Sequence, residues 1–215
     1  MQRADLLKKV IDSGVVSVVR SDTPENAIKL VEAVVAGGIK SIELTYSVPQ
    51  ANAVIARLVE QYSETDIIIG AGTVLEATSA RLAIIAGAQF IVSPSFNQSV
   101  AKICNLYQIP YVPGIFTPRE AQEALTYGSE LIKLFPGDIV SAQMIRDLKG
   151  PFPYLNILPS GGVSPANVSE WFEAGAAAIS AGGGITAPAS NGDYEAVTKN
   201  ARELMSAFHH SQANH

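Results

Sequence analysis

The chain has 215 residues, of which 47% are hydrophobic, and a formal net charge of −5. That length supports one sizeable core, and α/β barrels often use it for a single domain. The charge is mild and scattered, so no basic block points to nucleic acid, and no apolar run approaches the roughly 18 residues of a membrane span.

Residues 2–13 alternate charged and apolar positions at helical spacing (Leu6, Leu7, Val10, Ile11) and stop at Gly14, which predicts a leading helix. Val15-Val16-Ser17-Val18-Val19 is a β-branched run, and Arg20 to Pro24 turns into a helix ending at Ala36 before Gly37-Gly38. Ser41 to Thr45 is the next strand. The cycle then repeats with strands at 66–70, 89–92, 111–114, around Lys133, at 156–158 and at 177–180. The helices between them are expected at 49–62, 76–86, 97–107, 118–127, 140–149, 166–174 and 193–208. Eight strand-helix units with short connections predict a parallel sheet closed into a (β/α)8 TIM barrel, with an additional N-terminal helix covering its bottom. An open doubly wound sheet is the weaker alternative, because no Gly-x-Gly-x-x-Gly follows the first strand.

All three histidines (His209, His210, His215) fall in the last seven residues. A single domain over 1–208 followed by a disordered tail at 209–215 is therefore expected. Cys104 is the only cysteine, and the start at Met1 lacks the pattern of a secretion signal, so a cytoplasmic location is expected. With these residues zinc sites and histidine triads are disfavoured. Chemistry would have to run on Lys, Glu, Asp, Tyr, Ser or Thr.

Apolar residues in Leu131-Ile132-Lys133-Leu134-Phe135 occupy both parities, so Lys133 has no obvious solvent face. Burial favours the neutral amine over the ammonium, and the neutral amine is the nucleophile that forms imines with carbonyl substrates. Pro136-Gly137 ends the strand and puts Lys133 near its carboxyl end, where barrel enzymes keep their chemistry. The alternative is a lysine whose head snorkels out at a strand end. Glu43 sits between Ile42 and Leu44 and is expensive to bury without purpose; it is expected to shuttle protons, or else to serve as a structural partner of Arg20 or Lys133. Two glycine clusters, Ser160-Gly161-Gly162 and Gly182-Gly183-Gly184, follow the seventh and eighth strands, a usual barrel site for phosphate.

These residues, with Gly70-Ala71-Gly72-Thr73-Val74-Leu75, Phe90-Ile91-Val92-Ser93-Pro94, Lys133-Leu134-Phe135-Pro136 and Pro159-Ser160-Gly161-Gly162-Val163, give the chain a resemblance along nearly its whole length. It resembles the class I aldolases of 2-keto-3-deoxy-6-phosphogluconate and 4-hydroxy-2-oxoglutarate. The resemblance implies a homotrimer, a small 2-keto acid as substrate, and an imine mechanism without metal or cofactor. By position it implies Lys133 as the imine lysine, Glu43 as general acid/base, and Thr73 on the substrate carboxylate. Pro94 and Phe135 become apolar walls, and Gly161, Gly162 and Gly182 the phosphate end. An aldolase for the galactonate-derived isomer and a phosphate-binding barrel isomerase or synthase without an imine are the runner-up readings.

Two positions depart from the family pattern. Ser47 stands where some members carry a carboxylate-binding arginine; Arg20 is expected to supply that cation, and Ser47→Ala to do little. Gly183 stands where many members have a phosphate-binding serine.

Overall fold

The computed structural model of the chain describes residues 2–213. Helix α1 (Gln2–Asp12) leads into β1 (Val15–Val19), and parallel strands then alternate with helices. In order these are α2 (Pro24–Ala36), β2 (Ser41–Thr45), α3 (Ala51–Gln61), β3 (Ile68–Gly72), α4 (Ala77–Ile85), β4 (Ile91–Val92), α5 (Gln98–Tyr107) and β5 (Tyr111–Val112). Next come β6 (Gly114–Ile115), α6 (Pro118–Thr126), β7 (Ile132–Leu134), a 3-10 turn at Gly137–Ile139, α7 (Gln143–Lys149) and β8 (Ile157–Pro159). The chain finishes with α8 (Val168–Glu173), β9 (Ile179–Ala181), the short α9 (Gly183–Thr186), a 3-10 turn at Ala187–Asn191 and α10 (Tyr194–Ala213).

Local chemistry explains where the helices begin. Thr23 caps α2 by accepting from the Asn26 N–H, with Pro24 pre-set in the first turn. Thr117 and Glu120 form a reciprocal capping box on α6, again with proline at the start.

The strands form two parallel sheets, one in the order β5-β4-β3-β2-β1-β9 and one in the order β6-β7-β8. The expected closed ring of eight strands is not formed as one ladder: the parallel strands make two. One break falls at Pro113, whose missing N–H interrupts what sequence reading takes as a single strand over 111–114. The chain stays in line through that break: Gly114 N–H donates to Ser93 O (2.9 Å) and Lys133 N–H donates to Pro113 O (2.8 Å). The other break lies between β8 and β9, where Ser160 and Ser180 form an isolated parallel bridge and Ala177 N–H donates to Ile157 O at 2.9 Å.

Side chains alternate in facing along a strand. Ile42, Leu44, Ile69, Ala71, Ile132 and Leu134 belong to the larger cluster that packs under the helices. The opposite parity (Val16, Ile68, Phe90, Leu131, Leu158, Ala178) forms a second, inner cluster. Leu7 and Val10 of α1, with the partly buried Ile11, belong to that inner cluster, so the leading helix covers it from the amino-terminal side. Gly70 makes room for it: a Cβ there would stand 2.5 Å from the Phe90 ring. Stepping two residues on from the inner cluster reaches Val18, Gly70, Lys133, Ser160 and Ser180.

The expected tail beginning at His209 is corrected by α10, which continues to Ala213. Phe208 packs on Phe172 with ring centroids 5.2 Å apart, and the buried Ser211 donates to Phe208 O. That packing holds His209 and His210 in the helix; His215 lies outside the described residues. No described helix is long and apolar enough to cross a membrane.

Candidate active site

Lys133 is the middle residue of β7 and Glu43 the middle residue of β2. Both lie on the inner parity, and Glu43 sits opposite Val18 on β1 and Gly70 on β3 in register. Across the interior, Lys133 Nζ lies 3.6 Å from Glu43 Oε1, with side chains only 8% and 2% exposed. A pair this dry is costly unless its partners answer each other, because neither charge has water to fall back on. Gly72 makes room for the glutamate: a Cβ there would stand 2.1 Å from Oε1. The Phe135 ring, two residues along β7's line, has its centroid 5.1 Å from Nζ.

Lys133 opens into a cavity of about 280 Å³ whose wall includes Arg20, Phe135, Ser160, Gly162, Gly182 and Gly183. Gly161 also lines it. Ser180, which sequence reading overlooked, belongs to the same wall and lies 3.3 Å from Ser160 across a hydroxyl pair. Its signal was available: it is the only hydroxyl on the inner parity of β9. A larger cavity of about 600 Å³ runs along Tyr46–Ala53 and contains neither Lys133 nor Glu43. The smaller one is lined by the buried amine of Lys133, which has the Glu43 carboxyl group 3.6 Å away.

Arg20 reaches from the end of β1 to two other strand ends. Its Nη1 donates to Ser47 Oγ (3.1 Å) and its Nη2 to Thr73 Oγ1 (3.2 Å). Thr73 holds φ +58°, a strained value for a β-branched residue. Ser47 is therefore engaged with the arginine rather than idle. Just before it, burial pushes the Tyr46 phenol up to about 12, helped by nearby Glu76, so it stays protonated. Its hydroxyl lies 2.9 Å from the Ser79 carbonyl and ties the end of β2 to α4. Pro94 is half-buried, and its carbonyl would stand 2.1 Å from a Cβ on Gly114. Pro94, Glu43 and Thr73 do not line the 280 Å³ cavity; Glu43 meets it through Lys133 and Thr73 through Arg20.

The glycine turns differ in kind. Gly161 and Gly162 hold φ of +102° and +68°, which a side chain would strain. Gly183 opens α9, and a Cβ added there would meet nothing within 4 Å. Among the described residues no cluster of three or more His, Cys, Asp or Glu could hold a metal ion. The arrangement offers an amine nucleophile, an adjacent proton carrier, one cation held by hydroxyls, and a glycine-lined hollow.

Residues 7–200 match the family model described as KDPG and KHG aldolase, where KDPG is 2-keto-3-deoxy-6-phosphogluconate and KHG is 4-hydroxy-2-oxoglutarate. A 2-dehydro-3-deoxy-phosphogluconate aldolase of Treponema pallidum (strain Nichols) is 33% identical over 195 residues, 89% of this chain and 91% of that protein. The KHG/KDPG aldolase of Escherichia coli (strain K12) is 34% identical over 185 residues, 84% and 85% of the two chains. Among solved structures, a KDPG aldolase from Legionella pneumophila, with pyruvate captured as a covalent carbinolamine, superposes with a TM-score of 0.81 at 26% identity, covering 95% of this chain and 98% of that one. This chain belongs to the KDPG and KHG aldolase family, enzymes that break carbon–carbon bonds.

Proposed function

We propose that the protein is a class I aldolase with Lys133 as its imine-forming residue. It cleaves 2-keto-3-deoxy-6-phosphogluconate to pyruvate and glyceraldehyde 3-phosphate, and 4-hydroxy-2-oxoglutarate to pyruvate and glyoxylate. The observation that carries this reading is the buried Lys133–Glu43 pair at 3.6 Å, whose lysine lines the cavity. The carbinolamine in the Legionella relative supports it, since that adduct needs an amine at the same kind of site.

In this mechanism Lys133 gives its proton to Glu43, the neutral amine attacks C2, and the proton that the nitrogen then sheds passes to the carbonyl oxygen, giving a carbinolamine. Glu43 protonates that hydroxyl, which leaves as water, and a positively charged imine remains. Glu43, now a carboxylate, accepts the proton of the C4 hydroxyl. The C3–C4 bond breaks, its electron pair moves into the enamine, and the aldehyde departs. Glu43 returns the proton to C3, and water hydrolyses the imine to release pyruvate. Arg20 and Thr73 hold the substrate carboxylate, while Pro94 and Phe135 shape the pocket. Ser160, Gly161, Gly162, Gly182 and Gly183 take the phosphate, where backbone N–H groups approach an anion closely.

The two sheets are read as arcs of one (β/α)8 barrel, supported by the Ser160–Ser180 bridge and the hydrogen bonds flanking Pro113. A homotrimer in the cytoplasm is the assembly and location that go with the family resemblance. The test of the function is incubation with pyruvate and borohydride. Peptide mapping should find the reduced pyruvyl adduct on Lys133, and an adduct on another lysine, or none, would refute the assignment.

A further inference from the structure

We propose that Ser47 and Thr45 are positioning residues that aim Arg20 at the substrate carboxylate through a hydrogen-bond chain of fixed polarity. The inference rests on the reading that Arg20 holds that carboxylate.

Three contacts set the chain: Arg20 Nη1 to Ser47 Oγ at 3.1 Å, Ser47 Oγ to Thr45 Oγ1 at 2.7 Å, and Thr45 Oγ1 to the Val19 carbonyl at 3.1 Å. The direction of each hydrogen follows from the two ends. A guanidinium only donates and a carbonyl only accepts. Thr45 has one hydroxyl hydrogen, and its contact with Val19 O is a hydrogen bond only when Thr45 donates it. Thr45 must then accept from Ser47, so Ser47 spends its own hydrogen on Thr45 and turns its lone pairs toward Arg20. Reversing any link would leave two hydrogens, or two acceptor oxygens, facing each other.

The chain runs back to Val19, the residue before Arg20, so the arginine's head is fastened to the strand that carries its own backbone. Thr73 holds the other terminal nitrogen at 3.2 Å from a strained backbone position. Arg20 is exposed, and a free arginine there would lose much rotamer entropy on gripping a ligand. Two hydroxyls from the ends of β2 and β3 remove that freedom in advance. They do so without charge: among the described residues Arg20 has no carboxylate partner, so nothing competes with the ligand. Three of the five guanidinium N–H groups remain for a carboxylate.

The experiment measures the pyruvate concentration that half-saturates borohydride trapping, together with KM and kcat for cleavage. Ser47→Ala should raise the half-saturating concentration about three- to ten-fold, the effect of one lost hydrogen bond, and raise KM while leaving kcat nearly unchanged. Thr45→Val, which keeps the shape and removes the hydroxyl, should shift binding the same way, and Ser47→Thr should restore it. Both shifts should vanish in an Arg20→Ala background, because the hydroxyls act through the guanidinium. A Ser47→Ala shift of equal size with and without Arg20, or no shift in the parent, overturns the inference. An Arg20→Ala enzyme that traps pyruvate as well as the parent removes the carboxylate reading itself. That result is distinct from one in which Arg20→Ala weakens trapping and Ser47→Ala does not.

Discussion

Replacing Gly72 with alanine tests the geometry of the proposed Lys133–Glu43 catalytic pair without substituting either member. A Cβ at that position would stand 2.1 Å from Glu43 Oε1, 2.4 Å from its Cγ and 2.6 Å from its Cδ. Ordinary contact begins near 3.4 Å, so the carboxyl group must retreat by more than about 1 Å. The conflict includes Cγ, so the whole side chain has to rotate, and turning the carboxylate alone does not relieve it. Ile42 and Leu44 are fully buried on the other face of β2, so the strand cannot slide away to make room. Misplacing a catalytic group by about 1 Å costs on the order of 10²-fold in rate, and overpacking costs about 1–3 kcal/mol of stability. Gly72→Ala should therefore lower kcat for pyruvate release by about 10²-fold and the Tm by several degrees, with the fold retained by circular dichroism. In a Glu43→Gln background, which has the same bulk but no proton to transfer, the same substitution should cost less than about ten-fold. Near-normal kcat in Gly72→Ala, or a full 10²-fold loss in both backgrounds, would show that Glu43's position does not govern turnover.

Other outcomes follow from the same site. Lys133→Ala should abolish both trapping and cleavage, and it should lower stability by about 3–5 kcal/mol because Glu43 is left buried without its cation; residual trapping would relocate the nucleophile. Glu43→Gln should slow turnover by roughly 10²–10⁴-fold with the fold intact, and a normal rate would make the glutamate structural. Gly183→Ser, whose Cβ would meet nothing within 4 Å, should raise kcat/KM for 2-keto-3-deoxy-6-phosphogluconate and leave 4-hydroxy-2-oxoglutarate almost unchanged. An equal response from the two substrates would take Gly183 out of the phosphate site. Activity should survive EDTA; a loss that zinc or magnesium restores would contradict metal-free chemistry.

The sequence by itself determined the alternation of strands and helices. β-Branched runs such as Val15–Val19 and caps such as Thr23-Pro24 act within a few residues, where local sterics and hydrogen bonds decide. It also singled out Lys133 and Glu43, because a charge set among apolar neighbours of both parities is visible without coordinates. Other features depend on distant partners. Pro113 looked like part of one strand, and only the ladder shows two sheets meeting there. The polar stretch from His209 read as a tail, whereas packing of Phe208 on Phe172 carries α10 to Ala213. Gly72 matched a motif, but its need to be glycine comes from a glutamate 29 positions earlier on the neighbouring strand. Ser47 looked inert for the same reason: a hydroxyl's role is set by what stands within 3 Å or so of it, and Arg20 arrives there only when β1 and β2 pair.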